Sequence, residues 1–180
     1  MTNLTDLNGT YNLDPSHTRV GFVARHAMVT KVRGAFNDVS GTATGSSVDD
    51  AKIDVTVQVA SVDTRNADRD AHLTSGDFFD AETYPTITFA STEVSPLGAD
   101  SLRVTGDLTI KDVTRPVSID FEYNGAALDP FGNQRIGLEG STVVNRKDFG
   151  LTWNAALETG GVLVSDKITL EFEVSAIKAA

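Results

Sequence analysis

Residues 65–89 read RNADRDAHLTSGDFFDAETYPTITF, and Arg65, Asp68, Arg69, Asp70 and His72 fall within eight positions of one another. Groups of these types could bind a metal, hold an anion or neutralise each other. On a helix, residues four apart are neighbours, so Arg65 would share a face with Arg69, and Asp68 with His72. Arg69 and Asp70 are adjacent and would point apart. Two uses fit this pattern. One is a solvated helix whose charges pair with nearby loops. The other is a polar lid over a cavity, with an arginine ready for an anionic head group. Phe78, Phe79, Tyr84 and Phe89 follow at once, so the charges border something apolar.

The three histidines are His17, His26 and His72. With Asp14, Asp70 and Asp77 they could supply nitrogen and oxygen ligands to a metal. No HxH or HExxH spacing supports that, and each histidine is expected to bond a backbone carbonyl or a carboxylate instead. Cysteine is absent, which removes disulfides, thiol nucleophiles and cysteine metal sites. No GxSxG elbow, P-loop or GxGxxG occurs. Acidic residues are plentiful, but nothing singles out a catalytic pair. On residues alone, enzyme activity and a cofactor are not expected. The alternative is a metal-assisted hydrolase or isomerase built on His17, His26 and His72.

The chain has 180 residues and a formal net charge of -10. That length suggests one domain with a core of its own. The negative charge argues against nucleic-acid binding and weakly against anionic membranes. The start, MTNLTDLNGTYNLDPSH, has neither the basic nor the apolar region of a secretory signal. No run approaches the ~20 apolar residues of a spanning helix. A cytoplasmic chain without stable membrane insertion is expected, unless a leader has been removed.

Period-two alternation dominates the elements that must position these groups. Ile53, Val55, Val57 and Val59 alternate with polar residues, as do Val117, Ile119, Phe121 and Tyr123, and again Ile168, Leu170, Phe172 and Val174. Such strands have one wet and one dry face, the mark of antiparallel sheet. About eight strands emerge, with turns at SPLGAD, NGAALDPFGN and ETGG. One helix is expected, capped by Asn66, running from Ala67 to Leu73 and ended by Gly76. A second short turn is expected at residues 147–151. The apolar faces need a sandwich or a closed barrel. Gly106 and Gly140 fall on inward faces, where glycine permits bends and leaves space, which favours a barrel able to hold one small ligand.

Four segments carry a family resemblance: SHTRVGFVARHAMVTKVRGAFNDVSGT, ASVDTRNADRDAHLTSGDFFDAETYPTITFAS, GDLTIKDVTRPVSI and NRKDFGL. In this order they resemble the YceI-like family over about residues 11–177. The resemblance implies an all-β, lipocalin-like antiparallel barrel of about eight strands with one or two short helices. Residues 1–10 would be an N-terminal extension and residues 11–180 the single barrel domain. It further implies an elongated apolar cavity for a long amphiphile: a polyisoprenoid, an isoprenoid quinone or a fatty-acid derivative. Many members carry a leader and are secreted or periplasmic; this chain, read without one, is expected to stand outside that subgroup. The resemblance also hints at a homodimer, though no strand advertises an exposed apolar edge.

On this reading the cluster at residues 65–72 packs at the barrel rim. Asp70 and His72 would fix the helix to the body, while Arg69 would pair structurally or touch a head group. The expected cavity wall is Phe22, Phe36, Phe78, Phe89, Phe121 and Trp153. The expected head-group contacts are Arg25 and His26, at a strand end. A barrel filled by its own side chains, serving as a scaffold, is a third reading that a dry, well-packed interior would favour.

Overall fold

The computed structural model describes residues 2–180. Among them are eleven β segments and one α-helix. In chain order these are β1 (Gly9–Leu13), β2 (Arg19–His26), β3 (Thr30–Phe36), β4 (Val39–Gly45), β5 (Lys52–Gln58) and β6 (Val62–Asp63). After them come α1 (Ala67–Thr74), β7 (Thr86–Pro96), β8 (Ser101–Ile110), β9 (Val113–Leu128), β10 (Gln134–Asn145) and β11 (Lys167–Lys178). Short 3-10 turns lie at Leu4–Asp6, Val59–Ser61 and Arg146–Phe149.

All pairings are antiparallel. The order β1-β4-β5-β7-β8-β9-β10-β11 returns to β1, so the sheet closes on itself. Eight staves result, because β1 and β2 are two halves of one line. β11 pairs Tyr11–Leu13 near its end and Arg19–Val23 further back. Pro15 sits in the gap, where a residue without an N–H cannot continue the ladder. The Thr18 hydroxyl substitutes for the missing ladder, donating to the Ser175 carbonyl and accepting from the Ser175 amide, both at 3.1 Å. β3 and β4 form a second broken stave on β2 and β1. Closure leaves each apolar face turned inward, which is how one-sided strands remove their dry faces from water. The fold is therefore an eight-stranded, lipocalin-like antiparallel barrel with one helix.

The two ends are stoppered differently. At one end Leu4, only 1% exposed, packs with Tyr11, Val48, Val94 and Tyr123. The Tyr123 hydroxyl donates to the Thr2 carbonyl at 2.9 Å. Much of the segment assigned to an extension is thus part of the barrel: Leu4 plugs it, and Gly9 and Thr10 pair with β4. At the other end Phe36, Val59, Val62, Phe78, Phe149 and Leu151 form a second buried cluster. The covering pieces there are α1 and the residues after it, the Arg146–Phe149 turn, and the loop of residues 151–166. Among the described residues no helix is long and apolar enough to cross a membrane.

Candidate functional site

The cluster at residues 65–72 is an anchor. The Asn66 side chain accepts from the Arg69 amide at 3.0 Å, capping α1 as its sequence predicts. The helix ends at Thr74, where extended Ser75 stops it before Gly76 is reached. Arg69 and Asp70, adjacent in the chain, converge on buried Thr64. Arg69 donates to the Thr64 hydroxyl and carbonyl at 2.8 and 2.7 Å. The same hydroxyl and the Thr64 amide donate to the Asp70 carboxylate at 2.6 and 2.8 Å. Arg69 is committed to this network. His72 meets Asp77 at 2.9 Å and sets its ring edge-on to Phe78 and Trp153, with centroids 5.0 and 4.7 Å away.

Behind this anchor lies a cavity of about 320 Å³, walled almost wholly by apolar atoms. Every stave contributes. Phe22, Phe36, Phe78, Phe89 and Phe121, five of the six side chains expected in a wall, line it. Trp153 does not. Its ring tilts against Phe78 at 5.3 Å and, through His72, ties α1 to the loop that follows residue 150. Arg25 and His26 do not line the lumen either. Both are exposed, because β2 overshoots the barrel rim and there pairs with the loop: the Ser165 amide donates to the Arg25 carbonyl, and His26 bridges Val164.

The inward glycines do not leave open space as expected. A Cβ at Gly140 would lie 2.8 Å from the Phe121 ring, and one at Gly106 would lie 2.5 Å from the Phe89 ring. Gly34, opposite Phe22, is covered in the same way by the Phe22 ring. Each glycine lets a cross-strand ring lie against the wall instead of across the lumen. The tunnel stays open because the rings are parked, a device of sheets in which aromatics cover glycines.

The polar group that sequence reasoning missed is Arg146, 4% exposed and part of the lining. Its guanidinium donates to the carbonyls of Leu151 (2.6 Å), Trp153 (2.8 Å) and Ser165 (2.9 Å). A longer contact reaches the Val164 carbonyl, and Asp166 stands 3.7 Å away. Burial pushes its pKa down, partly offset by Asp166. Arg146 pins the loop of residues 151–166 across the barrel end, and little of it is left to meet a ligand. The segment NRKDFGL held the signal, but an arginine in a strand-end turn reads as exposed.

The histidines do not converge. His17 bonds Asp14 at 2.7 Å, His26 sits on the β2 overhang, and His72 has Asp77. Among the described residues no three His, Cys, Asp or Glu side chains are grouped as metal ligands. The strongest charge network is on the outer surface at the Leu4 end. There Arg135 bridges Asp14 and Asp129. The Arg135 hydrogen bond and then the His17 bond hold the Asp14 carboxyl down at about 2.

An apolar lumen inside an eight-stranded antiparallel barrel defines a fold of the lipocalin-like class. The chain belongs to the YceI-like family, whose domain model matches residues 11–176. A UPF0312 protein of Staphylococcus aureus (strain MSSA476) is 36% identical over 169 residues, spanning 92% of this chain and 95% of that one. The crystal structure of the Campylobacter jejuni YCEI protein has TM-score 0.74 at 33% identity and covers 87% of this chain and 90% of its own. A domain from Saccharophagus degradans, described as polyisoprenoid-binding and implicated in plant cell wall breakdown, has TM-score 0.74 at 15% identity and covers 94% of this chain and 98% of its own. At that identity the likeness is one of fold.

Proposed function

We propose that this barrel binds one long-chain amphiphilic lipid of isoprenoid type in its lumen and carries or sequesters it without chemistry of its own. The observation that carries this reading is the cavity wall: apolar on every stave, with its buried arginine already committed to protein carbonyls. Such a wall rewards hydrocarbon and offers little to a polar substrate. Each methylene taken from water gains ~0.8 kcal/mol, so about fifteen gain ~12 kcal/mol. Set against an association cost of ~4 kcal/mol at the low end, that leaves micromolar binding. The polyisoprenoid-binding description of the Saccharophagus degradans domain supports the choice of ligand class.

The test is native mass spectrometry of gently purified protein, followed by organic extraction. The expected result is a lipid adduct of isoprenoid or fatty type. Phe89→Ala combined with Phe121→Ala should weaken its uptake while the barrel persists. A protein that arrives empty and takes up no added polyprenyl lipid would end the proposal.

A further inference from the structure

We infer that the β2–β3 hairpin is a docking face for an anionic lipid bilayer, which presents the α1 end of the barrel to the membrane. The inference rests on the lipid-carrier reading for its purpose, not for its geometry.

Residues 19–36 contain Arg19, Arg25, Lys31 and Arg33 and no aspartate or glutamate, in a chain whose net charge is -10. The cations share one face. Phe22 and Ala24 point into the lumen, so Arg25 points outward. It stands directly opposite Lys31 and diagonal to Arg33, which pairs with Val23. Like charges placed opposite one another destabilise a ladder. Arg19 reaches Glu171 at 3.7 Å. Among the described residues, Arg25, Lys31 and Arg33 meet no carboxylate at salt-bridge distance. The barrel's carboxylates thus reach only the Arg19 end of this face, and Arg25, Lys31 and Arg33 are left for an external polyanion.

The hairpin tip adds a second, independent feature. Met28 is 65% and Val29 72% exposed. Val162, also exposed, joins them, because the Ala27 amide donates to the Leu163 carbonyl and the Met28 sulfur lies against Gly161. Ala27 and Met28 both adopt left-handed backbone, with φ of 50° and 63°. Turns of this kind favour Asn-Gly. Here the turn accepts strain and holds two apolar side chains in water. Apolar groups at a protruding tip flanked by cations match an interface whose head groups are anionic and whose next layer is hydrocarbon. An acidic protein would match the cations but not the tip. Net charge does not cancel the effect, since screening confines electrostatics to about 10 Å.

The test is co-sedimentation of the full chain with phosphatidylglycerol–phosphatidylcholine vesicles and with pure phosphatidylcholine vesicles. Binding is expected only with phosphatidylglycerol present and should fall with salt. Replacing Arg25, Lys31 and Arg33 by serine should lower it by about fivefold per cation. Met28→Gly, which relaxes the left-handed backbone and so keeps the fold, should also lower it. Neither change touches the lumen, so lipid uptake from detergent should persist. Three results would overturn the inference: wild-type protein that ignores phosphatidylglycerol vesicles while still taking up lipid; wild-type protein that ignores them but binds polyglutamate, which reassigns the face to an acidic protein; or a serine variant that binds vesicles unchanged but self-associates, which makes the cations guards of the β3 edge. Vesicle binding with no lipid uptake would sink the carrier reading and leave the docking face standing.

Discussion

Gly34→Ala offers a decisive check on how the lumen is kept open. Added methyl groups on strand glycines ordinarily stabilise by about 0.5–1 kcal/mol, because the unfolded chain loses freedom. Here the new Cβ would sit within 2.9 Å of three atoms of the Phe22 ring, against a normal carbon–carbon separation of about 3.5–4.0 Å. The ring must therefore move by roughly 1 Å. It cannot slide along the wall, because Phe36 lies 5.7 Å from it and Phe79 lies 5.7 Å beyond Phe36. The free direction is into the cavity. Overpacking of this kind costs about 1–3 kcal/mol, so the net effect should be a loss of about 0.5–2 kcal/mol. With a urea slope near 2 kcal/mol/M, the unfolding midpoint should drop by roughly 0.3–1 M. Lipid uptake should fall as well, since the displaced ring enters the tunnel. In a Phe22→Ala background the methyl group meets no ring, and Gly34→Ala should become neutral or stabilising. The coupling between the two sites should be about 1–3 kcal/mol. A raised midpoint for the single variant, or losses that simply add, would refute the parked-ring account.

Other expectations follow from the same structure. Arg146→Met should cost about 3 kcal/mol or more, because the carbonyls of Leu151, Trp153 and Ser165 lose their donor. Hydrogen exchange should localise the loosening to residues 151–166, and lysine should recover only part of the loss. Asp14 has its folded-state pKa lowered to about 2, so its stabilising contribution is present above the unfolded value near ~3.9 and is lost as pH falls from there toward 2. Asp14→Asn should flatten the acid limb of the stability profile in that window, and an unchanged limb would assign the acid sensitivity to other carboxylates. Trp153→Ala removes the ring that joins His72 and Phe78 to the loop. If lipid passes through the α1 end, this should speed its exchange with a smaller effect on stability, and unchanged exchange in stopped-flow release would place the lipid's passage at another part of the barrel.

Alternation alone determined the class of fold. Strands such as β5, β9 and β11 each carry one dry face, and a chain of such strands with short turns must close or stack to bury them. The helix was equally local: Asn66 caps it through its own side chain, and the bond needs only neighbours. Four of the wall phenylalanines, Phe22, Phe36, Phe89 and Phe121, were legible because inward residues in a strand recur every second position and an apolar type in that series faces the core, whereas Phe78 lies in the turn after α1. Arg69 and Asp70 point apart on a helix surface, yet Thr64, only five and six residues back, folds against the helix start and joins them into one local network. Two things belonged to the tertiary structure. Gly106 and Gly140 read as space, but cross-strand register lays phenylalanine rings over them. Arg146 reads as a surface cation, yet the Leu151 carbonyl and, from nineteen residues along the chain, the Ser165 carbonyl make it the buried pin of the barrel's end. Periodicity reports which face a residue takes, because that is fixed by its own backbone. It carries no record of what another segment, arriving from elsewhere in the chain, places against that face.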